Sequence, residues 1–205
     1  MARGLASRAW PDGLRFARRF LQHPGRVGSI VPSSRRLASG VLAGIERPPG
    51  GARPLTIVEL GAGTGAFTRA IVAGLRPGDR FVGIEVDTAF VEILRRRWPD
   101  IDIVCASAEA LYEILGERAL GPVDHVVSGL PFATLPADTT RRIVAAVARS
   151  IRRGGTFSTF HYLHSYGVPS AAAFRRKMTS ALGSAPSIEF VARNLPPALA
   201  LTWTK

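Results

Sequence analysis

The chain has 205 residues, enough for one domain with a full hydrophobic core and short for two. Apolar residues make up 46% and charged residues 20%, ordinary globular proportions, and no apolar run reaches the roughly eighteen residues of a membrane span. A net charge of +12 points to an anionic partner, either nucleic acid or acidic lipid headgroups.

A single cysteine, Cys105, excludes an internal disulfide and fits a reducing compartment. The bias towards arginine, 25 of 27 basic residues, is what a GC-rich coding sequence produces; the excess of bases over acids is not. Four histidines and one cysteine at no ligand spacing predict no metal site. The Arg-rich opening lacks the uninterrupted apolar core of a secretory signal, although an organellar transit peptide has a similar composition.

Pro11-Asp12 reads as a helix start, with an acid near the positive end of the dipole. Leu14, Phe16, Ala17, Phe20 and Leu21 then share one side of a 3.6-residue wheel, and Arg15, Arg18, Arg19 and Gln22 share the other. His23-Pro24-Gly25 ends this segment. A second helix is predicted from Ser34 to Ile45, followed by a Pro-Pro-Gly-Gly linker at residues 48–51. From there strands and helices alternate. Strands are expected at residues 55–60, 81–86, 102–106, 123–128 and 156–162, with helices at 65–74, 88–98, 109–115, 137–152 and 170–182. Gly154-Gly155 reads as a helix stop. Two closing strands, 187–193 and 198–204, are joined by Asn-Leu-Pro-Pro, too short for a crossover, and so must be antiparallel.

This order predicts an α/β fold with a doubly wound, mostly parallel Rossmann-like sheet. It ends in an antiparallel hairpin and is preceded by N-terminal helices. Residues 1–50 are expected as amphipathic or lid helices, and residues 51–205 as one folded ligand-binding unit. Such a sheet binds its ligands outside the carboxyl ends of its strands.

Glu59-Leu60-Gly61-Ala62-Gly63-Thr64-Gly65 follows the first strand and opens a helix. Its glycines permit a tight turn and close approach of a ligand to the backbone, and the helix N-terminus offers free N–H groups. Glu85 ends the second strand, where a carboxylate accepts hydrogen bonds from both hydroxyls of a ribose. The two motifs specify an adenosine-containing ligand. They fit a nicotinamide dinucleotide as well, taking Gly61, Gly63 and Ala66, but no Tyr-x-x-x-Lys pair exists, the only lysines being Lys177 and Lys205.

VELGAGTG, GIEVD and VVSGLPF occur in the order and spacing of the class I S-adenosylmethionine-dependent methyltransferases, which the chain resembles from about residue 30 to 205. The resemblance implies S-adenosyl-L-methionine as cofactor. It places the methionine part beside Gly61, Ala62, Gly63, Thr64 and Gly65, with Glu59 ordering the amino group and Glu85 and Val86 holding the ribose. Ser107, Ala108 and Glu109 lie where the family contacts adenine, with Ser107 replacing a frequent Asp.

The resemblance implies that the loop after the fourth strand faces the methyl acceptor. In adenine and rRNA dimethylases it looks like Asn-Leu-Pro-Tyr; here Gly129 replaces the base-gripping Asn and Phe132 the stacking Tyr. Ser128-Gly129-Leu130-Pro131 is instead similar to the small bacterial phospholipid N-methyltransferases that convert phosphatidylethanolamine to phosphatidylcholine. FLQHPGRVGSIVPSSRRLA, residues 20–38, resembles theirs as well.

That likeness implies a cytoplasmic enzyme held peripherally on an anionic membrane, with phospholipid as substrate. Arg15, Arg18, Arg19, Phe16 and Phe20 of the amphipathic segment supply the contact, each arginine adding ~1 kcal/mol of attraction. The alternative is a lid packed on the sheet. Leu130, Pro131 and Phe132 are expected to wall the acceptor site, Phe132 as its aromatic face. Ser128, Gly129, His161 and Tyr162 are expected at the reacting centre, Ser128 also against the cofactor and the last two as candidate proton acceptors. Strand alternation sends His161 and Tyr162 to opposite faces, so one of them lines the pocket. A monomer is expected off the membrane. A nucleic-acid adenine methyltransferase and a non-catalytic adenosine-binding module are the rival readings.

Overall fold

The computed structural model describes residues 35–45, 47, 53–192 and 194–205. The amphipathic segment expected at residues 11–22, with Arg15, Phe16, Arg18, Arg19 and Phe20, lies outside them. Among the described residues no helix is long and apolar enough to cross a membrane.

The elements run α1 (Arg35–Leu42), β1 (Thr56–Leu60), α2 (Ala66–Gly74), β2 (Arg80–Glu85), α3 (Thr88–Arg97) and β3 (Asp102–Cys105). A 3-10 turn (Ala108–Ala110) leads into α4 (Leu111–Glu117), then β4 (Val123–Ser128), α5 (Ala137–Ser150) and β5 (Ile151–Tyr162). A short α6 (Leu163–Tyr166), α7 (Pro169–Leu182), β6 (Ser187–Val191) and β7 (Ala198–Thr204) complete the chain. The strands form one seven-stranded sheet in the order β3-β2-β1-β4-β5-β7-β6. β1 to β5 pair in parallel, whereas β7 runs antiparallel to both β5 and β6. The closing hairpin therefore docks through its second strand and leaves β6 at the edge.

Because both faces are covered, successive residues of the central strands are buried on opposite sides. Ile57 belongs to a cluster with Leu37, Val41, Phe67 and Leu94, and Val58 to one with Leu111, Val147, Phe157 and Phe174. Helices α1 to α3 cover the first face, and α4, α5 and α7 the second. Seating α1 on β7 needs small residues. A Cβ at Gly40 would lie 3.1 Å from Val191 Cγ2, and one at Gly44 would lie 2.7 Å from Ser158 Oγ. Since Gly44 sits against the Ser158/Thr202 row and Gly40 against the higher Val191/Ala200 pair, α1 begins at the carboxyl end of the sheet.

The largest departure from expectation lies between α5 and β5. β5 starts at Ile151 rather than residue 156, because Ile151 pairs with Val123 before the register shifts. Gly154-Gly155, expected as a helix stop, belongs to that irregularity: Gly154 N donates to Lys205 O and Lys205 N donates to Gly155 O, stitching the strand to the end of β7. The α6 turn was not expected. At the amino end of the sheet the buried Asp124 accepts from Arg53, Arg152 and Thr56 N, fastening β1, β4 and β5 together.

Candidate active site

At the carboxyl ends of β1 and β2 the backbone is held by side-chain carboxylates. Gly61, Gly63 and Gly65 all have positive φ, at 72°, 53° and 85°. That region strains any residue with a Cβ. The three differ in what surrounds them. A Cβ at Gly61 would meet Leu130 Cδ2 at 2.7 Å, and one at Gly65 would meet Trp98 at 2.6 Å. At Gly63 nothing lies within 4 Å, so the middle glycine opens on unfilled space. Gly65 is the cap residue of α2 and brings no side-chain hydrogen bond of its own.

Glu85 is 4% exposed and accepts three backbone hydrogen bonds. Oε2 takes Gly63 N at 2.8 Å, and Oε1 takes Val86 N at 2.7 Å and Asp87 N at 2.9 Å. A carboxylate has roughly four acceptor directions. The expected grip on both ribose hydroxyls is thus narrowed, since most of this carboxylate already ties the glycine loop to the β2–α3 turn.

Glu59 is fully buried. Its Oε2 accepts from Thr68 Oγ1 at 2.6 Å, and its Oε1 has no partner among the described residues. Desolvation drives its carboxyl up to about 8, against the opposing pull of the Thr68 hydroxyl and backbone hydrogen bonds. A cationic ligand group reaching Oε1 would both satisfy it and draw off its proton.

A cleft opens beside Gly61 and Glu85. The strand-end residues Gly61 and Ile84 to Asp87 form one side, and Ala106, Ser107, Ala108 and Phe90 form another. Gly129, Leu130 and Pro131 form a third, with Leu135, Thr139 and Ile143 closing it. The walls are mainly apolar, suited to a flat heterocycle. Among the expected adenine contacts, Ser107 and Ala108 line the cleft, Ser107 also capping the 3-10 turn through Glu109 N. Glu109 does not: its carboxylate is held by Arg142 of α5 at 2.6 Å, an ion pair that outcompetes a place on the wall. Thr64 is exposed and Ala62 is buried, its N–H donating to Ile84 O.

The loop after β4 answers the question of why it carries Gly129. Its N–H donates to Leu60 O at 2.9 Å, and a Cβ there would lie 2.8 Å from the Gly61 carbonyl oxygen. The acceptor loop and the glycine loop touch through backbone, which a side chain at 129 forbids. Ser128 is fully buried, with Oγ turned back to accept from Leu130 N and its carbonyl accepting from Thr159 Oγ1. It shapes the loop rather than facing the cleft.

Phe132 requires a correction. The expected aromatic wall is a core residue, 1% exposed, stacked on Phe174 at 3.9 Å with planes 7° apart and set edge-on to Phe157. Pro131 O accepts from Thr134 N and Leu135 N, a turn that swings the ring inward beneath the loop.

His161 and Tyr162 do point to opposite faces, and neither lines the cleft. His161 is 3% exposed, packed against Phe174 and Tyr166, with Nδ1 3.4 Å from Arg175 Nη1 and with no partner for Nε2 among the described residues. Desolvation, and then the Arg175 charge, push its ring down to about 4. A ring so disfavoured as a cation is a poor proton acceptor at neutral pH. Tyr162 is half-buried, stacked face to face with His164 at 5.7 Å and edge-on to Phe160; burial raises its hydroxyl pKa.

Sequence reading missed Thr68, Asp87, Phe90, Leu135, Thr139 and Ile143. For the last three a signal was present: they are spaced by four, one face of the turn into α5. Asp87 stood within GIEVD, where it caps α3 by accepting from Ala89 N.

The comparisons with known proteins agree with this geometry. A family model described as a methyltransferase domain matches residues 57–155. An ornithine lipid N-methyltransferase from Singulisphaera acidiphila is 33% identical over 150 residues, covering 72% of this chain and 76% of that protein. The chain belongs to the class I S-adenosylmethionine-dependent methyltransferases. A tRNA (guanine-N(7)-)-methyltransferase from Burkholderia mallei is 29% identical over 202 residues, 85% of this chain and 73% of that one. Two solved structures share the fold. The Burkholderia thailandensis 1,6-didemethyltoxoflavin-N1-methyltransferase, with bound S-adenosylhomocysteine, has a TM-score of 0.66 at 19% identity, covering 98% of this chain and 92% of that one. The Synechocystis magnesium protoporphyrin IX methyltransferase, with bound S-adenosylmethionine, has a TM-score of 0.64 at 11% identity, covering 98% and 100%.

The methyltransferase uses S-adenosyl-L-methionine. Its residues fit that group on their own evidence. The unpartnered Glu59 Oε1 suits the ammonium, the open side of Gly63 leaves room, and the remaining acceptor direction of Glu85 suits a ribose hydroxyl.

Proposed function

We propose that this methyltransferase acts on the amine of a membrane lipid, methylating phosphatidylethanolamine and its methylated intermediates to phosphatidylcholine. The cofactor, when bound, supplies an activated methyl group to a neutral nitrogen. What remains for the chain is to bind, orient and exclude water, and to let the proton that the nitrogen gives up on methylation pass to a base or to solvent. The apolar cleft walls and the closed contact between Gly61 and Gly129 serve those ends.

The observation that carries this reading is Gly129. Nucleobase methyltransferases of the Asn-Leu-Pro-Tyr type need an amide at that place. Here any side chain would run into the Gly61 carbonyl. With Phe132 in the core, the loop also lacks a ring on which a base can stack. The lipid relative at 33% identity supports the class of acceptor, and the net charge of +12 suits an anionic surface bearing it. That relative acts on ornithine lipid, which favours an ornithine lipid amine as the second reading.

The test is methyl transfer from radiolabelled S-adenosylmethionine to phosphatidylethanolamine/phosphatidylglycerol vesicles, to vesicles containing ornithine lipid, and to tRNA or rRNA. Label is expected in phosphatidylethanolamine and its mono- and dimethyl forms. Label in ornithine lipid alone would transfer the assignment to the second reading, and label only in RNA would overturn both.

A further inference from the structure

The carboxyl end of the sheet bears four large apolar side chains that the fold leaves uncovered: Leu163 at 49% exposure, Val168 at 38%, Phe190 at 56% and Leu195 at 65%. They come from three separate stretches and are brought to one rim. Leu163 N donates to Pro197 O at 2.9 Å, seating the start of α6 on the β6–β7 turn that carries Leu195. Val168 closes that short helix, its N–H donating to Ser165 O. Phe190 faces Leu199, which pairs with His161 in the last rows of β5.

Isolated exposed leucines are ordinary; four large ones gathered at one end of a sheet are a contact surface. Its charge setting selects the partner. Arg175 of α7 donates to Tyr166 O at 2.8 Å and lies over the Tyr166 ring, which sets its guanidinium beside α6. Arg36, at the start of α1, is exposed at the same end. Apolar tips among cations match an anionic bilayer, which offers hydrocarbon beneath negative headgroups. The rim also borders the end of the sheet on which the cleft opens.

We propose that Leu163, Val168, Phe190 and Leu195 insert into the headgroup region of an anionic membrane and hold the mouth of the cleft against it. This rests on the lipid-acceptor reading, and supplies a membrane contact separate from the one expected at residues 11–22. An acceptor lipid then reaches the cleft without leaving the bilayer.

The full chain is tested by co-sedimentation with phosphatidylethanolamine/phosphatidylglycerol vesicles, comparing wild type with Leu163→Glu/Leu195→Glu. Partition is expected to weaken at least about tenfold, with cofactor affinity and melting temperature unchanged. As a second measurement, Leu195→Cys in a Cys105→Ser background, labelled with an environment-sensitive dye, should brighten on vesicle addition. Wild-type partition by the double variant, or a dye that stays dark, would overturn the proposal. So would a wild-type dimer that the variant dissociates while partition is unchanged, since the rim would then be a self-association face. Lipid-amine methylation in detergent micelles separates the two claims. Methylation with unaltered partition of the variant sinks the rim alone, whereas rim-dependent binding without lipid methylation sinks the acceptor reading.

Discussion

Between β1 and β2, polar side chains tie backbone to backbone. Glu85 spans Gly63, Val86 and Asp87, while Thr68 pins Glu59. Beyond β4 the residues with the most chemical promise turn away from the cleft. Phe132 stacks on Phe174, His161 lies beside Arg175 in the core, and Ser128 bonds its own loop. The cofactor side is preorganised by charge-assisted hydrogen bonds, whereas the acceptor side is shaped by packing and by one glycine-to-carbonyl contact. The loop after β4 therefore offers the cleft shape rather than polar side chains.

Substitutions on the two sides should separate cleanly. Phe132→Ala removes a stacked core ring and should cost about 3–5 kcal/mol of stability, read by chemical denaturation. Cofactor affinity of the folded fraction should stay within about twofold. A large loss of affinity with little loss of stability would return Phe132 to the acceptor wall.

Glu85→Ala frees three backbone donors and should weaken S-adenosylmethionine binding at least about a hundredfold by calorimetry. Gly63→Ala is the sharper probe of the cofactor side, because the new methyl meets no protein atom. Its positive φ should cost about 1–2 kcal/mol of stability, while cofactor affinity falls by about tenfold or more. Equal losses in the Gly61→Ala protein would mean that the three glycines do not divide their work as the geometry implies.

Glu59 carries a pH signature. Its folded carboxyl, raised from 4.5 to about 8, holds a proton that the unfolded chain has lost between those values. The stability it contributes is full below about 4.5 and lost as pH rises through about 8. Near neutrality, cofactor binding should release a proton, seen as a binding enthalpy that varies with buffer ionisation. Glu59→Gln should abolish the release. Thr68→Val should weaken affinity by about tenfold and shift the pH at which release occurs, with Thr68→Ser restoring both.

The smallest effect is expected at His161. A general base contributes about a hundredfold or more. His161→Phe should instead keep kcat within about threefold, and the pH–rate profile should show no histidine inflection. A hundredfold fall would restore it as the proton acceptor.

Much of the fold was legible because β1 and β4 run straight into Gly61 and Gly129 and the helices carry their own periodicity. β1, β2 and β4 run almost as expected. The cofactor loop was legible for a related reason: positive φ and close backbone approach leave glycines in the sequence itself. The adenine wall was read only in part, since Glu109 found a partner 33 positions away in Arg142, which no local pattern records. The start of β5 was misplaced because Gly154-Gly155 looks like a stop until Val123 and Lys205 are laid beside it.

The sequence by itself determined the order of elements, the cofactor's seat and the excess of positive charge, all of which follow from local periodicity, glycine geometry and residue counts. Only the tertiary structure decided which aromatic rings face the core, which carboxylate is already engaged, and that Leu163 and Val168 share a rim with Phe190 and Leu195. Those outcomes depend on which residues become neighbours, and neighbours far apart in the chain are set by packing the sheet rather than by any single stretch.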